Sequence, residues 1–236
     1  MDGTELAIRF SYVTNVMRFC GPYDAHKQFI RYLKKKDNRE EVEKSLKRFE
    51  ALYPYLLLIA KKNSKEIFDY EVVEAYWIGN ELLDVFTDCD MKELINMLVQ
   101  RGLPKVIGKR LIKNLPSGIV PHHNFNVMHV GVGAITKSVK MTLKNMDNCR
   151  TTFGVINRVY KSWATVKIKP LKMKNEKLFL GEEELKKVRF LPVSQNVKQG
   201  QPVALHWGFI VCNLTKKQVK NLEFYTKKIL NSVNHY

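Results

Sequence analysis

The chain has 236 residues, enough for one large domain or two small ones. A hydrophobic fraction of 45% supports a buried core and excludes a disordered chain. The net charge of +17 favours nucleic acid, an anionic membrane face or an acidic protein as partner, yet the lysines are spread out as in any soluble protein of a lysine-rich proteome.

The opening MDGTELAIRFSYV carries early acids and no basic stretch followed by an apolar one, so a secretory signal is not expected. DAHKQFIRYLKKK (24–36) repeats Ala25, Phe29 and Leu33 at helical spacing, with Asp24 as a candidate N-cap. REEVEKSLKRFEALY does the same with Val42, Leu46, Phe49 and Tyr53, and Pro54 is expected to break or redirect that helix. The apolar run LLLIA that follows is far too short to span a bilayer. A helix is predicted over 69–86, with Val72, Val73, Tyr76, Leu83 and Phe86 on its buried face. DMKELINMLVQRG opens with Asp90 and Glu93 in a capping-box pattern and closes on Gly102. Pro104 suits the start of a short helix running to about Asn114.

PSGIV (116–120) is a turn signal, and FNVMHVGVGAI then reads as extended chain. After a Lys/Asn-rich stretch (137–148), FGVINRVY and WATVKIKP flank Lys161-Ser162 as a hairpin does. Residues 177–192 offer two short strands around GEEE, and QPVALHWGFIV is the longest strand candidate. TKKQVKNLEFYTKKIL, with Thr215 and Gln218 as a capping box, is predicted to be a closing helix. The fold class expected is α+β. A helical domain (1–115), an extended connector (116–148) and a small OB-like β-barrel with a C-terminal helix (149–236) follow one another.

Cys20, Cys89, Cys149 and Cys212 form no CxxC, which argues against zinc-knuckle and thioredoxin-type motifs and suggests reduced thiols in the cytoplasm. Cys149 stands just before the first barrel strand and His206 in the last strand candidate. A closed barrel can make those strands neighbours, and thiolate plus neutral imidazole suits iron, zinc or copper. On residue types and spacing alone, a hydrogen-bonded core histidine is the default account of His206. Cys20, His26, His122, His123 and His129 form a second candidate ligand set if the helical part and the connector converge. Cys89 and Cys212 read as structural. Glu74 is a carboxylate near an apolar helix face, a candidate base or a solvated edge. Walker, GxGxxG, HExxH and GxSxG motifs are absent from the sequence.

C-R-T-T-F-G-V-I (149–156) and G-Q-P-V-A-L-H-W-G-F-I (200–210), followed by the capped helix, resemble the HypC/HupF family of hydrogenase maturation chaperones. In that resemblance Cys149 matches the family's N-terminal cysteine and His206 its strand histidine. It implies that the pair holds an iron carrying cyanide and carbon monoxide, Fe(CN)2CO. It also implies a HypD-like partner and a hydrogenase large subunit as recipient. The resemblance covers residues 149–236; Cys149 is internal, and Phe153 stands where the family usually has Pro. FCGPYDA, EAYWIGN and PHHNFNVMHV resemble an uncharacterised family. A non-catalytic metallochaperone or scaffold is therefore the expected role. The alternatives are a basic OB-like nucleic-acid-binding protein, with Tyr160, Trp163 and Trp207 as surface aromatics, and an enzyme using Cys149 or Cys20 as nucleophile.

Overall fold

In the computed structural model, which describes residues 1–193 and 196–234, the chain begins with helix α1 (Gly3–Val16), capped by the Asp2 carboxylate on the Glu5 amide. Its apolar residues do not follow one stripe. Leu6, Ala7, Ile8, Phe10 and Val13 are all buried, because neighbours cover it on several sides. These are α2 (Ala25–Lys35), α3 (Arg39–Leu46) and α5 (Tyr70–Trp77) on the helical side, and strand β7 (Phe209–Asn213) on the other. Helices α4 (Leu52–Lys62), α6 (Asp88–Gln100) and α7 (Lys105–Lys113) complete the helical region.

Several local expectations need correction. Asp24 sits at φ +62° without a capping bond and pairs instead with Lys27 at 2.8 Å. Pro54 does not end a helix; it lies in the first turn of α4, where its missing N–H costs nothing. The helix expected over 69–86 stops at Trp77. Gly79 takes φ +93°, where any Cβ would also strike the Tyr225 ring, so only glycine fits there, and a short 3-10 turn, Glu81–Leu83, follows. The capping box of α6 is Thr87 with Asp90 rather than Asp90 with Glu93.

The expected extended connector is largely helical. Helix α8 (His123–Phe125) runs into a π-helical turn, Asn126–Gly131, and α9 (Leu143–Cys149) follows. Burial explains the difference: Phe125, Val127, Met128 and Val130 all enter the core, and only a helical backbone pairs its own polar groups there.

Beyond α9 the strands are β1 (Thr152–Val159), β2 (Trp163–Ile168), β3 (Leu171–Lys174), β4 (Lys177–Leu180), β5 (Glu184–Phe190), β6 (Pro202–His206) and β7. The barrel closes in the order β1-β2-β5-β7-β6. β1 pairs antiparallel with both β2 and β6, and β5 runs parallel to β7, an OB-like arrangement. Ile156, Val166, Val188, Val203 and Ile210 fill its interior. β3 and β4 pair with each other outside the barrel, so the strands flanking GEEE are not partners. The single strand expected over QPVALHWGFIV is a hairpin. Trp207 (φ +49°) and Gly208 (φ +74°) form its two-residue turn, and His206 faces Phe209 across it. Helix α10 (Lys216–Asn234) starts at the Thr215–Gln218 capping box and packs Leu222, Tyr225 and Ile229 against the rest.

The large apolar core is continuous between the two parts. It runs from α1 through Trp77 and Phe125 to Trp207, Val211 and Tyr225.

Candidate metal centre

His206 ends β6, and the hairpin turn after it is fastened to α9. The Trp207 amide donates to the Asn148 carbonyl at 2.6 Å. That bond brings His206 beside Cys149, the last residue of α9. Cys149 is fixed from the other side by the PHHN segment. His123 Nε2 donates to the Cys149 carbonyl at 2.9 Å, and the Asn124 side chain bonds both the amide (2.8 Å) and the carbonyl (3.0 Å) of Thr151. His122 accepts from the Asn124 amide and so caps α8. The buried Arg150 guanidinium pairs with Asp147 at 2.9 Å and donates to the Lys169 carbonyl, which holds the end of α9 against the barrel.

One donor atom each from His123, Cys149 and His206 lies within 4.8 Å of the others, and the Cys149 Sγ to His123 Nε2 distance is 3.9 Å. Among the described residues this is the one such group of His, Cys, Asp or Glu. Donors on a shared tetrahedral metal stand about 3.3–3.8 Å apart, so the Cys149–His123 pair is near that separation and the trio as a whole closes by at most about an ångström to share an ion.

The tautomers follow from the partners. His206 Nδ1 lies 3.0 Å from the Phe10 carbonyl, which only accepts, so Nδ1 carries the proton. Its Nε2 lone pair is buried and meets no hydrogen-bond donor. His123 is arranged oppositely: Nε2 carries the proton, and Nδ1 accepts from the Tyr76 hydroxyl at 2.9 Å.

Burial governs the charges. It pushes the Cys149 thiol up to about 12, against the pull of the Trp207 indole N–H. It lowers His206 to about 4, with the Phe10 and Cys149 carbonyls opposing, and it drives His123 well below the usual imidazole range. At neutral pH the site is a thiol and two neutral imidazoles without net charge. A cation entering it displaces the thiol proton.

The remaining candidates scatter. Cys20 lines the same cavity as Cys149, but its sulfur is outside the trio. His26 bonds Asn15 at 3.1 Å and is outside the trio. His122 stacks on Tyr225, and His129 stacks on Phe125. Cys89 is exposed and Cys212 is buried. Glu74 joins Asn80 (3.0 Å) and Gln218 (2.7 Å), a tie between α5 and α10 rather than a free base. Trp207 is only 9% exposed and packs on Phe19, so it is not a surface aromatic. The residue types alone ranked His123 behind His206. They missed Trp77, Tyr76 and Ser11, which line the cavity with the trio.

A family model described as a family of unknown function, DUF6390, matches residues 1–236. The chain belongs to that family. No curated protein and no solved structure matches the chain. The DUF6390 match takes in the helical region and the barrel alike, and the trio draws on both: His123 precedes the barrel, while His206 stands on it.

Proposed function

We propose that this protein is a metal-centre assembly factor that carries an iron fragment bearing cyanide and carbon monoxide. The observation that carries this reading is the convergence of His123, Cys149 and His206 on one cavity, with the His206 Nε2 lone pair buried and without a donor. A thiolate and two imidazoles form a soft-to-borderline donor set that suits iron, zinc or copper. Three protein donors leave coordination positions for exogenous ligands, which a closed four-ligand site does not. The resemblance of residues 149–156 and 200–210 to HypC/HupF chaperones selects iron with diatomic ligands among these metals. It also selects a HypD-like protein and a hydrogenase-type large subunit as the class of partner.

In this reading each residue has a defined task. Cys149 gives up its proton and supplies the anionic donor. The Phe10 carbonyl holds His206 with Nε2 facing inward. His123 joins by moving its proton from Nε2 to Nδ1, where the Tyr76 hydroxyl turns from donor to acceptor. The segments before the barrel thus supply, within one chain, the third donor and both orienting partners. They also account for an internal cysteine in a barrel of this type.

The nucleic-acid reading has less behind it. Tyr160 and Trp163 stack on each other at 3.7 Å, and Arg158 and Lys187 lie over their rings. The chain's own cations therefore use the faces that bases would need.

The test is anaerobic purification from a host that makes the iron fragment, with metal analysis and infrared spectroscopy. The expected result is bound iron with cyanide and carbonyl stretching bands, both lost in Cys149→Ala. Iron-free wild-type protein from that host contradicts the proposal.

A further inference from the structure

The cavity beside the trio has a volume of about 60 Å³, room for a few water-sized groups. Its walls are unusual in their polar groups. Ser11 Oγ, Trp77 Nε1 and Trp207 Nε1 are all buried, and none has a hydrogen-bond partner in the protein. All three residues line this cavity together with His206, whose Nε2 is unpartnered as well. A buried donor left unpaired is costly, so such groups are normally satisfied. Here three donors without partners share one cavity with a metal-ligand set.

The donors sort by position. The Trp207 indole N–H lies beside Cys149 and favours the ionised sulfur. Trp77 is held rigidly, stacked on Phe10 at 4.4 Å and against His123 at 4.3 Å, so its ring cannot turn to find another acceptor. Ser11 follows Phe10 on α1, one residue after the carbonyl that orients His206. Two donors therefore remain for something that is not part of the chain. It must be small, must accept hydrogen bonds, and must sit next to the metal.

We propose that this cavity is a subsite for a pseudohalide ligand carried on the metal, its terminal nitrogen received by the Ser11 hydroxyl and the Trp77 indole N–H. The proposal rests on the metal reading above and names the class of co-ligand that the site selects. A terminal nitrogen with a lone pair, as in cyanide or azide, accepts from both groups. Carbon monoxide accepts hydrogen bonds poorly and gains little from them.

The probe is azide, titrated into full-length protein loaded with Co2+ and followed by the visible cobalt bands. The variants are Trp77→Phe, which keeps the ring stack, and Ser11→Ala, which removes one oxygen atom. Each is expected to weaken azide binding by about tenfold, while Co2+ affinity changes by less than about threefold. Azide affinity equal in wild type and both variants overturns the subsite, and so does Co2+-loaded wild type that binds no azide; in both cases the metal site stands. Wild type that takes up no Co2+ overturns the metal reading and the subsite together. Comparing the thermal midpoint of each variant with wild type separates lost hydrogen bonds from lost folding. If Trp77→Phe unfolds, the folded Ser11→Ala variant carries the test, and azide affinity equal to wild type in it overturns the subsite.

Discussion

His206 Nδ1 donates to the main-chain carbonyl of Phe10, 196 positions away in sequence, at 3.0 Å. This one bond fixes the tautomer of a barrel histidine from a helix of the N-terminal region. It leaves Nε2 as a bare lone pair at the cavity. A metal-binding histidine held by a backbone acceptor on its other nitrogen is the usual pattern of outer-shell support. Replacing His206 by Ala is therefore expected to weaken Co2+ or Zn2+ binding by at least about a hundredfold. His206→Gln, whose neutral amide oxygen is a far weaker ligand for such a metal than an imidazole nitrogen, should not rescue it. Isothermal titration of the variants measures this.

Acid should unfold the protein earlier than its carboxylates alone would dictate. His122 is lowered to about 3 and His206 to about 4 by burial, and His123 lies well below the usual range. Unfolded histidines titrate near 6.5. Below that pH the unfolded chain binds more protons than the native one, so stability falls as pH falls. It is fully present above about pH 6.5 and is lost progressively toward about pH 4. His122 contributes a slope of about 1.4 kcal/mol per pH unit down to about pH 3 and His206 the same down to about pH 4, and His123 adds a slope of the same sign. Urea midpoints at pH 7, 6 and 5 should decline steeply, and His122→Asn should make the decline shallower.

Arg150 is 1% exposed and paired with Asp147, which also accepts from the Leu171 amide and from Lys186. Removing the guanidinium leaves Asp147 with the Leu171 amide and Lys186, frees the Lys169 carbonyl and opens a cavity at the end of α9. Arg150→Ala should cost about 2–4 kcal/mol, from the buried side chain lost and the bonds left unmade, read from denaturant unfolding. Because the same bonds hold Cys149 in place, metal affinity should fall with stability in that variant.

Gly79 links the helical region to α10. A Cβ at this position would lie 2.1 Å from Tyr225 Cδ2, on a backbone at φ +93°. Gly79→Ala should lower stability by at least about 2 kcal/mol. It should also raise amide exchange in the last helix, since the Tyr225 hydroxyl bonds to Asn80 and Asp84 would be displaced with the ring.

Much of the barrel was legible in the chain, because alternation and the Lys161-Ser162 turn announce β1 and β2 directly. The β6–β7 hairpin was not. Its turn is Trp207-Gly208 instead of Asn-Gly, and a bulky residue at φ +49° leaves no recognisable turn signal in an apolar run. The helical turns over His123–Gly131 were hidden by glycines and β-branched residues, whose local preference is overridden by burial. Cys149 and His206 stood out as reactive residue types at barrel positions. His123 was one of several histidines until the fold placed it against the Cys149 carbonyl. Ser11 and Trp77 gave no signal at all, since a serine in an apolar helix and a core tryptophan look ordinary until their polar atoms are found unpaired.

The most direct test of the central claim is anaerobic titration of the purified, metal-free protein with Co2+, followed in the near ultraviolet. One tightly bound equivalent is expected, with a thiolate-to-cobalt charge-transfer band that is absent in Cys149→Ser and weakened in His123→Ala and His206→Ala. Cobalt bound equally by wild type and Cys149→Ser, or no charge-transfer band at saturation, contradicts the claim.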